Sequence, residues 1–349
     1  TPFLHRVTLA LLMLAAAPVP AEENSLPVSD TLTTGSPLLL AYGGRVVPPM
    51  DGMHKRHDEA KTETETAEPR VWDRALPFFA QRVIDKGYDL PNPYDIGVSV
   101  YVGSQDFEIG NLAVGFNGST PQDLDFVKFP HSRIDTETMQ LQMGAWVFPF
   151  LNVYGIVGRV QGKGDIDITI DGEGLMNYIG IPGCSAPPAV RPAICSQTLK
   201  GTAHADYDGS NYGVGLTAAG AWNDLFFALP ITYVISDLSI SDTKAKAWNV
   251  SPRVGWNFHP AGTGMVTVFT GGTWLKNDSY ISGEFVFDTS SSPIGGNTTL
   301  QYNISEHPKM RWNALLGGNW MISKSWNLAA EVGFAGTRND VIVTGFYRF

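Results

Sequence analysis

Thr138-Met139-Gln140-Leu141-Gln142-Met143-Gly144-Ala145-Trp146-Val147-Phe148 decides the fold class. Met139, Leu141, Met143, Ala145 and Val147 alternate with Thr138, Gln140, Gln142 and Gly144. A period of two belongs to a strand with one apolar and one polar face. Working outward, Ile96, Val98, Val100 and Val102 oppose Asp95, Gly97, Ser99 and Gln105. Downstream, Tyr154, Ile156, Val160, Ile166, Ile168 and Ile170 share one parity, and Arg159, Gln161, Lys163, Asp165 and Asp167 share the other. Leu328, Ala330, Val332 and Phe334 oppose Asn327, Glu331 and Gly333, and Val341, Val343, Tyr347 and Phe349 lie on one face of the last strand.

Ten such spans are predicted: 94–105, 134–148, 152–171, 198–222, 225–239, 244–258, 265–287, 298–321, 326–337 and 340–349. The apolar parity changes around Asp208-Gly209-Ser210, where a β-bulge is expected, and Pro230 suggests another. Phe107 to Phe116 also has strand character and would raise the number to twelve with a partner.

A soluble sandwich alternates too, but its turns need not be sorted by length. Here short links at Pro149-Phe150, Asn223-Asp224, 259–264 and 323–325 alternate with generally longer ones at 106–132, 173–197 and 288–297. Aromatics gather beside the short turns, among them Trp146, Phe148, Phe150, Trp222, Trp256, Phe258, Trp320 and Trp326. Tight turns on one side, long loops on the other and an interfacial aromatic girdle predict an all-β chain folded as a transmembrane antiparallel barrel. Several spans exceed the roughly 9–11 residues that cross the hydrocarbon, so the wall is expected to project beyond the outer leaflet.

Composition agrees. The 349 residues include 37 Gly, 18 Phe, 12 Tyr and 9 Trp, with only 17% charged, and mean hydropathy is -0.05. A net charge of -10 leaves no basic surface for nucleic acid. His5-Arg6, the apolar run Val7 to Ala17 and then Pro18-Val19-Pro20-Ala21 follow the order of a secretory signal peptide, assigned to 1–21. Residues 22–70 are expected as a flexible polar segment, 71–93 as a lead-in with a short helix opened by Pro77, and 94–349 as the barrel. Cys184 and Cys195 lack a nearby His, so a disulfide closing a loop is favoured over zinc, and no metal or cofactor is expected.

Val341-Ile342-Val343-Thr344-Gly345-Phe346-Tyr347-Arg348-Phe349 resembles the closing strand of bacterial outer-membrane β-barrel proteins, which end in Phe with an aromatic two residues earlier. The resemblance covers roughly 94–349. It implies residence in the outer membrane of a Gram-negative bacterium, contact with its lipid, and Tyr347 and Phe349 as the signal read by the barrel assembly machinery.

Parity places Arg159, Lys163, Lys200, Arg253, Arg311 and Glu331 on the lumen, in either a constricted or an open barrel. The functional reading is a porin-like barrel or a ligand-passage protein for small solutes, with the cations biasing anions. A membrane-embedded hydrolase is the alternative, with His204 and Asp206 as base and orienting carboxylate, and Asp165 and Asp167 nearby. His204-Ala205-Asp206 is similar in residue types and spacing to the pair of the omptin proteases, whose order is Asp-x-His. A structural or adhesive surface barrel is the third reading.

Overall fold

The structure, a computed structural model, describes residues 71–349 apart from positions 87, 89, 117, 179–182, 189, 240–243, 262–263, 278 and 289–296. The predicted signal peptide and polar segment, 1–70, lie outside the described residues. The chain forms a closed antiparallel barrel of ten strands. In order these are β1 (Tyr94–Phe116), β2 (Ser132–Phe148), β3 (Leu151–Asp171), β4 (Thr198–Trp222) and β5 (Leu225–Leu238). Then follow β6 (Ala245–Val250 and Arg253–Phe258), β7 (Met265–Asn277 and Ser279–Asp288), β8 (Asn297–Pro308 and Trp312–Met321), β9 (Trp326–Phe334) and β10 (Arg338–Arg348). Each pairs with its sequence neighbour, and the barrel closes where Asp95 to Gln105 of β1 pair with Arg348 to Arg338 of β10.

The sequence-predicted spans coincide with these strands, and three local expectations are corrected. Phe107–Phe116 is no extra strand. It continues β1, leaves β10 and pairs with Asn297–Pro308 of β8, because the β9–β10 hairpin ends at a tight turn, with Ala335 N donating to Arg338 O at 2.7 Å. No bulge interrupts β4 at Asp208-Gly209-Ser210, since the β3–β4 register runs unbroken from Leu151↔Ala218 to Asp171↔Thr198. Pro230 makes no bulge either: Ile231↔Val250 and Ala228↔Arg253 keep one register. The ladder is only interrupted there, since Pro230 and Pro252 bring no N–H to it, and β6 divides at Ser251-Pro252.

Outside, Val98, Val100, Met143, Val157, Val214, Leu216, Val268, Leu316, Leu328, Val332 and Val343 are all exposed, a band of large apolar side chains that no soluble surface carries. Trp222, Trp256, Phe258, Trp320 and Trp326 edge it beside the short turns, so the barrel spans a membrane. Trp146 was expected in this girdle but faces inward and is 2% exposed.

Helix α1 (Ala80–Ile84) is shorter than its sequence suggested. It is tied to the rim beside the short turns: Phe78 N donates to Val147 O at 2.8 Å, and the Phe79 ring stacks on Phe148 at 6.1 Å. Leu90, further along the lead-in, packs against the interior cluster around Tyr101, Trp146 and Phe226.

Candidate functional site in the barrel interior

The interior changes character along the barrel axis. At membrane level one row of inward side chains runs in register across seven strands: Gln140, Ser99, Thr344, Ala329, Asn319, Thr267 and Asn257. Six of the seven are polar. Ser99 and Thr344 share a hydrogen bond of 2.8 Å, Gln142 donates to Ser99 at 2.7 Å, and Thr267 donates to Asn257 at 2.7 Å. The Gln140 Nε2 group and both amide atoms of Asn319 and Asn327 are buried without a partner among the described residues. Leaving a buried donor or acceptor unsatisfied costs about 1–3 kcal/mol.

Charges stand further out in the same lumen. Arg253 and Glu331 pair at 2.8 Å with each side chain 1% exposed, Arg338 approaches Asp340 at 3.4 Å, and Asn313 donates to Asp340 at 2.7 Å. At the opposite mouth Asn152 donates to Asp95 at 3.0 Å, across the register from buried Arg348.

Along β3 the interior is apolar from Tyr154 outward. Phe107, Ile134, Tyr154, Ile156, Val160, Tyr207, Val234, Leu238 and Leu275 form one buried cluster. Large rings lie over glycines of neighbouring strands, Tyr154 over Gly215 and Tyr207 over Gly162, so closely that no Cβ could occupy either position. The two hydroxyls are held at 2.6 Å by Thr232 and Thr136. With Ala245 and Ala247 the cluster draws on seven of the ten strands, β1 to β7.

The predicted lumen set therefore divides. Arg253 and Glu331 lie inside. Arg159 and Lys163 are exposed on the outer face, alternating with buried Val160 and continuing the outward parity of Val153 and Val157. Lys200 is exposed on the outer face of β4, and Arg311 is exposed at the bend between the two segments of β8. The physical reason is a change of medium rather than of register. β3 leaves the lipid after Val157, so its outer face becomes polar while its inner face stays apolar from Tyr154 through Val160 to Ile166.

The hydrolase candidates are outside for the same reason. His204 Nδ1 bonds Asp165 Oδ1 at 2.6 Å across the β3–β4 register, with the side chains 75% and 66% exposed. Asp206 stands opposite Lys163, and Thr202 donates to Asp167 at 2.8 Å. The structure thus couples His204 to Asp165 rather than to Asp206, on a solvated wall. Among the described residues no cluster has the make-up of a metal site.

Cys184 and Cys195 form the disulfide expected of them. It pins helix α2 (Gly172–Tyr178) under a small apolar cap with Leu175, Met176, Phe126 and Ile170, and Arg191 pairs with Glu173 at 2.9 Å. Burial in this cap pushes the Tyr178 hydroxyl above its ordinary pKa. Tyr347 and Phe349 point outward, Tyr347 against Trp326 at 5.1 Å and Phe349 against Tyr94 at 5.9 Å. Sequence reasoning missed Arg338, Asp340, Tyr101 and Phe346 as interior residues, although the outward parity of Val341 and Val343 implied the last strand's share of them.

No protein-family model matches the chain, and neither does any curated protein. Among solved structures it is similar to the β domain of the Bordetella autotransporter BrkA, at 12% identity and a TM-score of 0.36 over 73% of this chain and 99% of that one. It is also similar to the translocator domain of the autotransporter NalP from Neisseria meningitidis, at 12% identity and 0.29 over 74% and 88%. A Pseudomonas aeruginosa FadL homologue matches at 9% identity and 0.29 over 74% and 90%. Likenesses this distant carry no argument about activity. The outer-membrane barrel class rests on the closed wall, the exposed apolar band and the aromatic edge described above.

Proposed function

We propose that the chain is an outer-membrane passage barrel for small solutes, stoppered at rest by the apolar cluster around Tyr154, Ile156, Val160 and Tyr207. The observation that carries the reading is the membrane-level interior. A barrel serving only as an anchor gains nothing from buried amides without partners, whereas a route for water and small polar solutes needs such groups along its wall. With Arg159, Lys163, Lys200 and Arg311 outside the lumen, the anion bias expected from sequence has no support, and the inner charges Arg253 and Glu331 offset each other.

Export by the signal peptide at 1–21 and recognition of Tyr347 and Phe349 by the barrel assembly machinery belong to the same proposal. The test is solute flux and single-channel conductance of the protein refolded into bilayers. Tyr154→Ala/Tyr207→Ala is expected to raise conductance at least tenfold over the unmutated barrel. Silence from both proteins, with folding verified by heat-modifiable gel mobility, would overturn the reading.

A second reading, a surface-contact barrel, draws on the disulfide-pinned cap and the polar outer wall above the lipid. Its test removes the cap loop and asks whether cell-surface binding is lost while the barrel stays folded. The hydrolase reading is not carried forward, because the solvated His204–Asp165 pair lacks the enclosure that makes such a pair effective on water.

A further inference from the structure

The lipid-facing wall carries a groove of about 590 Å³ on β2 to β5. Met143, Gly155, Val214 and Tyr233 stand in register across these four strands and form its floor. Gly155 makes the depression: its missing side chain points into open space, and a Cβ built there would meet nothing nearer than Gly213 O at 3.9 Å. Two residues further out come Val157, Tyr212 and Ile235, and two beyond those come Arg159, Ser210 and Asp237. The wall thus passes from apolar to charged within one groove length, and Tyr212, Tyr233 and Trp248 mark that level as tyrosines and tryptophans mark a headgroup layer.

Three cations rim the groove there. Lys244 Nζ donates to the Tyr212 hydroxyl at 3.2 Å and pairs with Asp237 at 3.2 Å. Arg159 on one flank and Lys246, opposite Ile235, on the other are exposed and have no partner among the described residues. Lipid tails are as apolar as this wall, so a groove alone gains only packing from one of them. Unpaired cations at headgroup height add the attraction for an anionic group that selects one lipid over another.

We propose that this face is a binding site for a phosphorylated lipid of the outer leaflet, with an acyl chain lying in the groove over Gly155 and the phosphate held among Arg159, Lys244 and Lys246. The site is independent of whether the lumen conducts.

The test titrates the purified, detergent-solubilised barrel with diphosphoryl lipid A and, separately, with phosphatidylcholine, and counts retained lipid by native mass spectrometry. Lipid A is expected to give a one-to-one adduct that phosphatidylcholine does not. Arg159→Gln/Lys246→Gln and Gly155→Leu should each raise the half-saturation concentration at least tenfold. Both variants change exposed positions and are checked by heat-modifiable mobility, with Gly155→Val standing in if Gly155→Leu fails that check. Equal retention of phosphatidylcholine, or unmutated affinity in either variant, would overturn the proposal.

Discussion

Replacing Glu331 by Leu removes one half of an ion pair that the barrel interior holds at 2.8 Å with both side chains 1% exposed. At that separation the 2.8 Å pair carries a gross attraction of about 6 kcal/mol at an effective dielectric of 20. Desolvation of two ions offsets most of it, so the pair's net worth is small, while removing one partner of such a buried pair costs about 3–5 kcal/mol. Glu331→Leu is therefore expected to lose that much, and Arg253→Met/Glu331→Leu to recover to within about 1–2 kcal/mol of the unmutated barrel, because apolar replacements of similar volume are close to neutral. The assay is urea unfolding of the barrel in lipid vesicles, followed by tryptophan fluorescence and gel mobility. If the single variant costs under about 1 kcal/mol, water reaches Arg253 and screens it. A dry, packed interior at that level would then be wrong.

Further tests address parity, packing and the cap. A cysteine at Arg159 or Lys163 should react with a membrane-impermeant maleimide on whole cells, whereas a cysteine at Val160 should not; equal labelling would refute the outward placement of β3's charges. Ile156→Ala should cost about 2–5 kcal/mol, as buried truncations do, and its exposed neighbour Val157→Ala under about 0.5 kcal/mol, read from urea midpoints; the reverse order would put Ile156 on the lipid. Gly162→Val puts a side chain into the Tyr207 ring and should destabilise by about 1–3 kcal/mol, with partial recovery when Tyr207→Ala is added. Cys184→Ser/Cys195→Ser should loosen the cap by about 3 kcal/mol, the scale for a loop of this length; limited proteolysis at Arg191 would accelerate while the barrel keeps its heat-modifiable mobility.

The strands were legible because alternation is a local property of the chain. Which face is inside was legible on β1, β2, β9 and β10 but not on β3, which shows why. Along Leu151–Asp171 the register never slips, yet the apolar parity does. Val153 and Val157 face lipid from odd positions, while Ile156, Val160 and Ile166 fill the interior from even ones. Taking the even apolar set from Tyr154 to Ile170 as the lipid face sends Arg159 and Lys163 into the lumen. Carrying the outward parity of Val153 and Val157 forward, residue by residue, places them on the outer wall. β4 repeats the lesson in reverse, from buried Tyr207 to exposed Tyr212 and Val214, and the expected bulge there was the membrane boundary read as a backbone defect. The sequence brings Asp165 near His204 without making it the partner, because cross-strand contacts 39 positions apart depend on register, which local spacing does not specify.

The exchange of faces also explains why strands as long as β3 and β4 suit this barrel. At membrane level the outer apolar residues meet lipid, and the polar interior is held by hydrogen bonds and ion pairs whose net gain is small. Beyond the lipid the medium outside is water, so Val160, Tyr207 and Leu275 can be buried with the full hydrophobic gain, at about 25 cal/mol per Å² of apolar surface. The outer wall thus packs as a soluble barrel does and stabilises closure of the wetter tier beneath it. In the proposed passage barrel, closing the lumen and stabilising the fold would fall to the same side chains. A substitution that opens the stopper is expected to weaken the barrel in proportion, whereas one at the polar row of Gln140 and Asn319 is expected to change solute flux, if the barrel conducts, without unseating the wall.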